Sequence, residues 1–120
     1  MGSIKSYRDL EIWQLGIEIV KDVYSMTAAF PKDEIFGLSG QMKRAAVSLP
    51  SNIAEGFRRL HSKEYRQFLH VSMASCAELE TQVTISRMIG FIPDKAEEEM
   101  LSKLERFCRM TMSLSKKLNT

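Results

Sequence analysis

Cysteine is scarce in this chain, with two thiols, Cys76 and Cys108, among 120 residues. Two thiols inside helical patterns build no disulfide framework, and a reducing cytoplasmic setting suits them. Prolines number three and glycines six, so long helices are rarely interrupted. No glycine-rich phosphate cradle of either common spacing is present, and no nucleophile elbow. No apolar run approaches the roughly 18 residues of a membrane span. The opening MGSIKSYRDLEIW lacks the basic, apolar and small-residue succession of a secretory signal. Ile4, Lys5 and Ser6 match a myristoylation signal at Gly2 only loosely. An excess of one charge is lacking too: 17 basic against 15 acidic side chains leave a net charge of +2. Any contact with nucleic acid must therefore come from a local patch.

Metal ligands are also few. A carboxylate-bridged di-metal site in a helical bundle wants glutamate three residues before histidine on two helices. Gln67 stands at that spacing before His70, and Arg58 before His61. A mononuclear site from His70, Cys76 and Cys108 fails on rotation, which sets His70 about 120° away from Cys76 on one helix. Neither metal nor cofactor is expected.

What is abundant is methionine, leucine, glutamate, lysine and alanine, all of which enter helices at little cost. The chain, 1–120, reads as one domain of four helices. Asp9 is placed to cap the first, and Phe30-Pro31 stops it. A second starts near Asp33-Glu34 or at Leu38 and reaches Phe57. A third opens at Ser62 and closes at Gly90, and Pro93 with its trailing acids opens the fourth. Short connections imply antiparallel neighbours, so the expected fold is all-α, an up-down-up-down four-helix bundle.

The first helix carries two apolar stripes. Leu10, Trp13, Ile17, Val20 and Tyr24 form one; Ile12, Leu15, Ile19, Val23, Met26 and Phe30 form the other. Together they cover an arc of about 200°, twice what one core needs. One stripe serves the core and the other needs a second partner, either more of its own bundle or another subunit. The expected subunit interface is Ile12, Leu15, Gly16, Ile19 and Val23, in a homo-oligomeric ring or barrel.

The second helix has a core stripe of Leu38, Met42, Ala45, Leu49, Ile53 and Phe57. Beside it runs a polar stripe: Gln41, Arg44, Ser48, Asn52 and Glu55. With so little solvated charge around it, that stripe is expected to be partly buried in a hydrogen-bonded network with Glu78 and Gln82 of the third helix. Glu55 and Glu78 also suit a general acid/base pair, but carboxylates beside an arginine and an asparagine more often form a structural network. Pro50 is expected to kink this helix. The third helix offers Tyr65, Phe68, Leu69, Ser72, Cys76, Leu79 and Val83 to the core, and the fourth offers Met100, Leu104, Phe107, Thr111, Leu114 and Leu118. Around the turn between helices 2 and 3 lie Arg58, Arg59, Lys63 and Arg66, with His61 inside and Glu64 opposing them. Such a cluster is either a solvated loop or a phosphate-binding patch, and a ring of subunits would repeat it along one rim.

The stretches RDLEIWQLGIEIVKDVY, FPKDEIFGLSGQMKRAAVSLPSNIAEGFRR and EYRQFLHVSMASCAELETQ resemble the four-helix-bundle proteins encoded by intervening sequences of bacterial 23S rRNA genes. Its most specific residues run from Gln41 through Arg44, Ser48 and Asn52 to Gly56, then Phe68, Leu69, Ser75, Glu78 and Leu79. The resemblance implies a homopentameric barrel. It also implies a relation to accessory proteins of diversity-generating retroelements, whose basic surface engages nucleic acid. Ser72, Met73 and Ala74 stand where the family tends to show alanine, a basic residue and glycine, which removes one cation from the third helix. The expected function is a non-enzymatic oligomeric scaffold binding structured RNA or an RNA-handling protein. The alternative is a purely protein-binding or structural oligomer.

Overall fold

The computed structural model describes residues 3–34 and 37–118, and Gly2 lies outside them. Four helices follow one another: α1 Glu11–Thr27, α2 Leu38–Phe57, α3 Ser62–Met88 and α4 Asp94–Lys117. Short 3-10 turns at Tyr7–Asp9 and Lys32–Glu34 precede α1 and α2. The 27 residues of α3 span about 40 Å, close to the 45 Å long axis of the molecule. The helices therefore lie along that axis. The rings of Phe30 and Phe91, 5.0 Å apart, join the α1–α2 and α3–α4 connections at one end. At the other, Arg66 Nη1 donates to the Leu118 carbonyl at 2.9 Å. The expected antiparallel bundle is what forms.

The helix ends follow local chemistry. Asp9 does not cap α1; its carboxylate turns back to accept from the Lys5 and Ser6 amides at 3.0 and 3.1 Å. Ser6 Oγ in turn accepts from the Arg8 amide, which closes a capping box on the 3-10 turn. At the start of α2, Glu34 Oε1 accepts from the Leu38 amide at 3.1 Å. Gly90 takes φ +85°, the left-handed residue that lets the Phe91 amide return to the Ser86 carbonyl and end α3.

The core is drawn from all four helices: Ile19 and Val23, Met42, Leu49 and Ile53, Leu69, Leu79 and Val83, Leu104 and Phe107 are fully buried. This reverses the sequence expectation for α1. Ile12, Leu15, Gly16, Ile19 and Val23 are buried inside the chain's own bundle. The close approach at Gly16 orients the helix. A Cβ there would stand 3.2 Å from the Cβ, Cδ and backbone nitrogen of Pro50. Gly16 does admit a neighbouring helix, as its missing side chain suggests, but the neighbour is α2 of the same chain. Pro50 is buried at that crossing, and α2 runs unbroken past it to Phe57. Of the other α1 stripe, Leu10, Trp13 and Val20 pack against the core, while Ile17 and Tyr24 are 36% and 48% exposed and Val47 of α2, 41% exposed, is also uncovered.

Between α1 and α4, Lys103 Nζ meets Asp22 and, at 3.1 Å, Glu18 Oε1. The hydrogen bond from Asp22 raises the Lys103 pKa, with Glu18 adding to it and burial opposing. Between α2 and α3, Gly56 is the tight point, since a Cβ there would fall 2.9 Å from both Phe68 Cβ and Tyr65 Cδ1. Gly56→Val should cost about 1–3 kcal/mol by overpacking, measured as a lowered denaturation midpoint with an unchanged slope. An unchanged midpoint would show that α3 yields freely at this contact.

Candidate nucleic-acid interface and polar groove

Charge separates along the bundle. The first turns of α4 carry Asp94, Glu97, Glu98 and Glu99, with Lys95 among them, and Arg87 of α3 holds Glu97 at 2.8 Å and Asp94 at 3.9 Å. At the far end stand Arg58, Arg59 and Lys63, with Lys116 and Lys117 in the last turn of α4. The four cations expected to bind nucleic acid are thus brought to one end, but they are not equivalent. Arg58 and Arg59 are exposed, with guanidinium carbons 5.5 Å above the Tyr7 ring and 4.6 Å above the Phe68 ring. Lys63 is exposed. Arg66 is half-buried and tied to the end of α4 through Leu118, so it fastens the bundle before it can serve a ligand. Leu60 projects from this turn 95% exposed.

A second feature of this end escaped the sequence. The 3-10 turn folds the Tyr7 ring to 5.5 Å from Trp13. Arg8 lies over both rings at 5.5 and 5.3 Å. Only the spacing of Tyr7 and Trp13 around a turn would have signalled it.

The polar stripe of α2 does not become a buried network. Gln41, Arg44, Glu55 and Glu78 are exposed, and among the described residues none of these four side chains has a hydrogen bond or ion pair within the chain. The network that does form is shorter. Ser48 Oγ and Ser75 Oγ share a hydrogen bond of 2.8 Å, and Asn52 Nδ2 donates to Ser48 Oγ and the Ser48 carbonyl, both at 2.8 Å. Around it Gln41, Arg44, Ala45, Ser48, Ser75 and Glu78 line an open groove of about 450 Å³. The polarity of the stripe comes from lining this groove. Gln82 is buried at its α3 flank, and its Oε1 has no partner among the described residues.

The Ser48–Ser75 contact also fixes the register of two antiparallel helices. Glu55 lies seven residues along α2 from it and Glu78 three along α3 in the opposite sense, a separation of about 15 Å along the seam. The two carboxylates are not a proton-transfer pair. Glu55→Gln should shift the melting temperature by less than about 2 °C, because no partner is lost; a larger fall would place Glu55 in a contact outside the single chain.

The remaining candidate ligands are engaged elsewhere. His70 Nε2 shares a hydrogen bond of 3.2 Å with Ser115 Oγ, and Cys76 Sγ donates to the Leu104 carbonyl at 3.3 Å. No group of three or more His, Cys, Asp or Glu suited to a metal occurs among the described residues. Burial pushes the Cys76 thiol up to about 12, with Glu80 and then Cys108 adding to it. Alkylation of folded protein at pH 8 should therefore leave Cys76 unmodified, because the thiolate is the reacting form. Mass mapping that found Cys76 labelled without denaturant would show that the α3–α4 seam opens. No helix among the described residues is long and apolar enough to cross a membrane.

Fold and surface together define a class: an all-helical four-helix bundle with exposed apolar side chains on α1 and α2 and a cluster of cations at one end. The family model described as 23S rRNA-intervening sequence protein matches residues 8–113. The chain belongs to that family. A crystal structure of a protein of unknown function from the S23 ribosomal protein family of Bacteroides thetaiotaomicron is similar in fold. Its TM-score is 0.79 at 17% identity, over 88% of this chain and 98% of that one. No curated protein matches.

Proposed function

We propose that this protein is a non-enzymatic cytoplasmic scaffold, assembled from several copies of itself and binding structured RNA at its basic end. The observation that carries the reading is the exposed part of the second α1 stripe. Ile17 and Tyr24, with Val47 of α2, form an apolar face that an isolated subunit would leave in water, at a cost that association removes. The apolar arc does not set the copy number; five follows from the resemblance. The family's name ties it to ribosomal RNA genes, and Arg58, Arg59 and Lys63 supply cations that phosphates would satisfy.

Sedimentation velocity tests the assembly, and titration with ribosomal RNA fragments and an unrelated duplex, at low and physiological salt, tests the ligand. Sub-micromolar binding that survives physiological salt and prefers the ribosomal fragments is the expected result. Weak, indiscriminate binding that vanishes with salt would reject the RNA role. The second reading, a purely protein-binding oligomer, would then stand on the polar groove, where Arg44 and Glu78 offer unpaired charges of both signs to a partner chain.

A further inference from the structure

The basic end holds more than charge. Tyr7 and Trp13 are half-buried, their rings inclined at 58° to one another. Arg8 covers both rings, and Arg58 lies over Tyr7 from the α2–α3 turn. Among the described residues neither arginine has an acidic partner. The turn carrying Tyr7 and Arg8 is held by the Ser6–Asp9 capping box, and Gln14 Nε2 donates to the Arg8 carbonyl at 2.9 Å. Two planar cations are thus held in position by aromatic rings, with positive charge unspent and N–H edges available.

Duplex RNA presents phosphates but keeps its bases stacked inside, so it would engage only the charge of such a cluster. Unpaired nucleotides would engage both parts: phosphate oxygens accept from the guanidinium edges, and a base stacks on the plane of an exposed guanidinium. A cluster meant only for duplex phosphates would use the guanidinium forks but gain nothing from the aromatic rings beside them. From this arrangement we infer that Tyr7, Arg8, Trp13 and Arg58 form a stacking site for an unpaired stretch of RNA, such as a loop or single-stranded end. The inference rests on the RNA reading above and specifies which part of the RNA is held.

Trp13 is the single tryptophan of the chain, so its emission reports on this site directly. The experiment titrates the full chain with a 12-nucleotide single-stranded RNA, with a blunt duplex of the same sequence, and with a hairpin showing that sequence in its loop. Single strand and hairpin should quench Trp13 and bind roughly tenfold more tightly than duplex at physiological salt. The double variant Arg8→Lys with Arg58→Lys keeps the charge and removes the planar cations from exposed positions. It should lose that preference, with single-strand affinity falling roughly tenfold and duplex affinity falling much less, because the charge facing the phosphates is kept. Equal binding of duplex and single strand by the wild-type chain, or a preference that survives the lysine variant, would overturn the inference while leaving RNA binding in place. Absence of binding to all three RNAs would remove the RNA reading itself.

Discussion

With Ile17 and Tyr24 both replaced by aspartate, the protein should sediment as a single 13.7 kDa chain and keep its helical circular dichroism. Neither side chain belongs to the buried core, so the substitutions leave the core intact and, at Tyr24, remove the ring beneath Lys43. At a subunit contact, however, each new carboxylate would have to leave water without a partner, which costs several kcal/mol per ion. Assembly should weaken by at least about a thousandfold, since each 1.4 kcal/mol is a factor of ten. The companion substitution Ile19→Asp reads the opposite stripe. Ile19 is fully buried, so this chain should fail to fold. A double variant that kept the wild-type sedimentation coefficient would reject the outward stripe as the interface.

The second large effect concerns Arg58, Arg59 and Lys63. Replacing all three by alanine should weaken RNA binding and flatten its dependence on salt. For unpaired RNA each neutralised phosphate contributes about 0.7 to the slope of log affinity against log salt, so three contacts account for about 2. Between 50 and 200 mM salt the wild-type affinity should therefore fall roughly twentyfold more than that of the variant. Fluorescence anisotropy at four salt concentrations measures both slopes. Parallel lines would remove this cluster from the interface even if overall affinity dropped. Arg66 is left out of the substitution because its bond to Leu118 would mix a loss of stability with a loss of binding.

The architecture was legible because its signals are local. Pro93, Gly90 and the Phe30-Pro31 pair act within a turn of their own positions, and the core stripes of α2, α3 and α4 are single. On α1 two stripes compete, and periodicity measures only the arc they span. The choice between them is made by Gly16 meeting Pro50, a contact between residues far apart in the chain. The polar stripe of α2 misled for a related reason. Few charges suggested cover on every side, but Ser48 and Asn52 satisfy each other with Ser75, and Gln41, Arg44 and Glu55 remain in water. The platform of Tyr7 and Trp13 was invisible because it depends on a 3-10 turn placing one ring against the other.

The clasp of Lys103 on Asp22 and Glu18 has a consequence for the order in which the molecule is made. It joins Lys103 to Asp22 across 81 residues, and contacts that close so long a loop form late. During synthesis α1 emerges before α4, and within this bundle it has only α2 and α3 to cover it until α4 has left the ribosome. The inner stripe of α1 must then share its shelter with the outward one, both apolar and both competing for the same partial cover. Lys103 supplies the discrimination. Glu18 and Asp22 lie on the α4 side of α1, so the late cation favours the rotation of α1 that turns Ile19 inward, by the ~0–1 kcal/mol of a part-exposed ion pair.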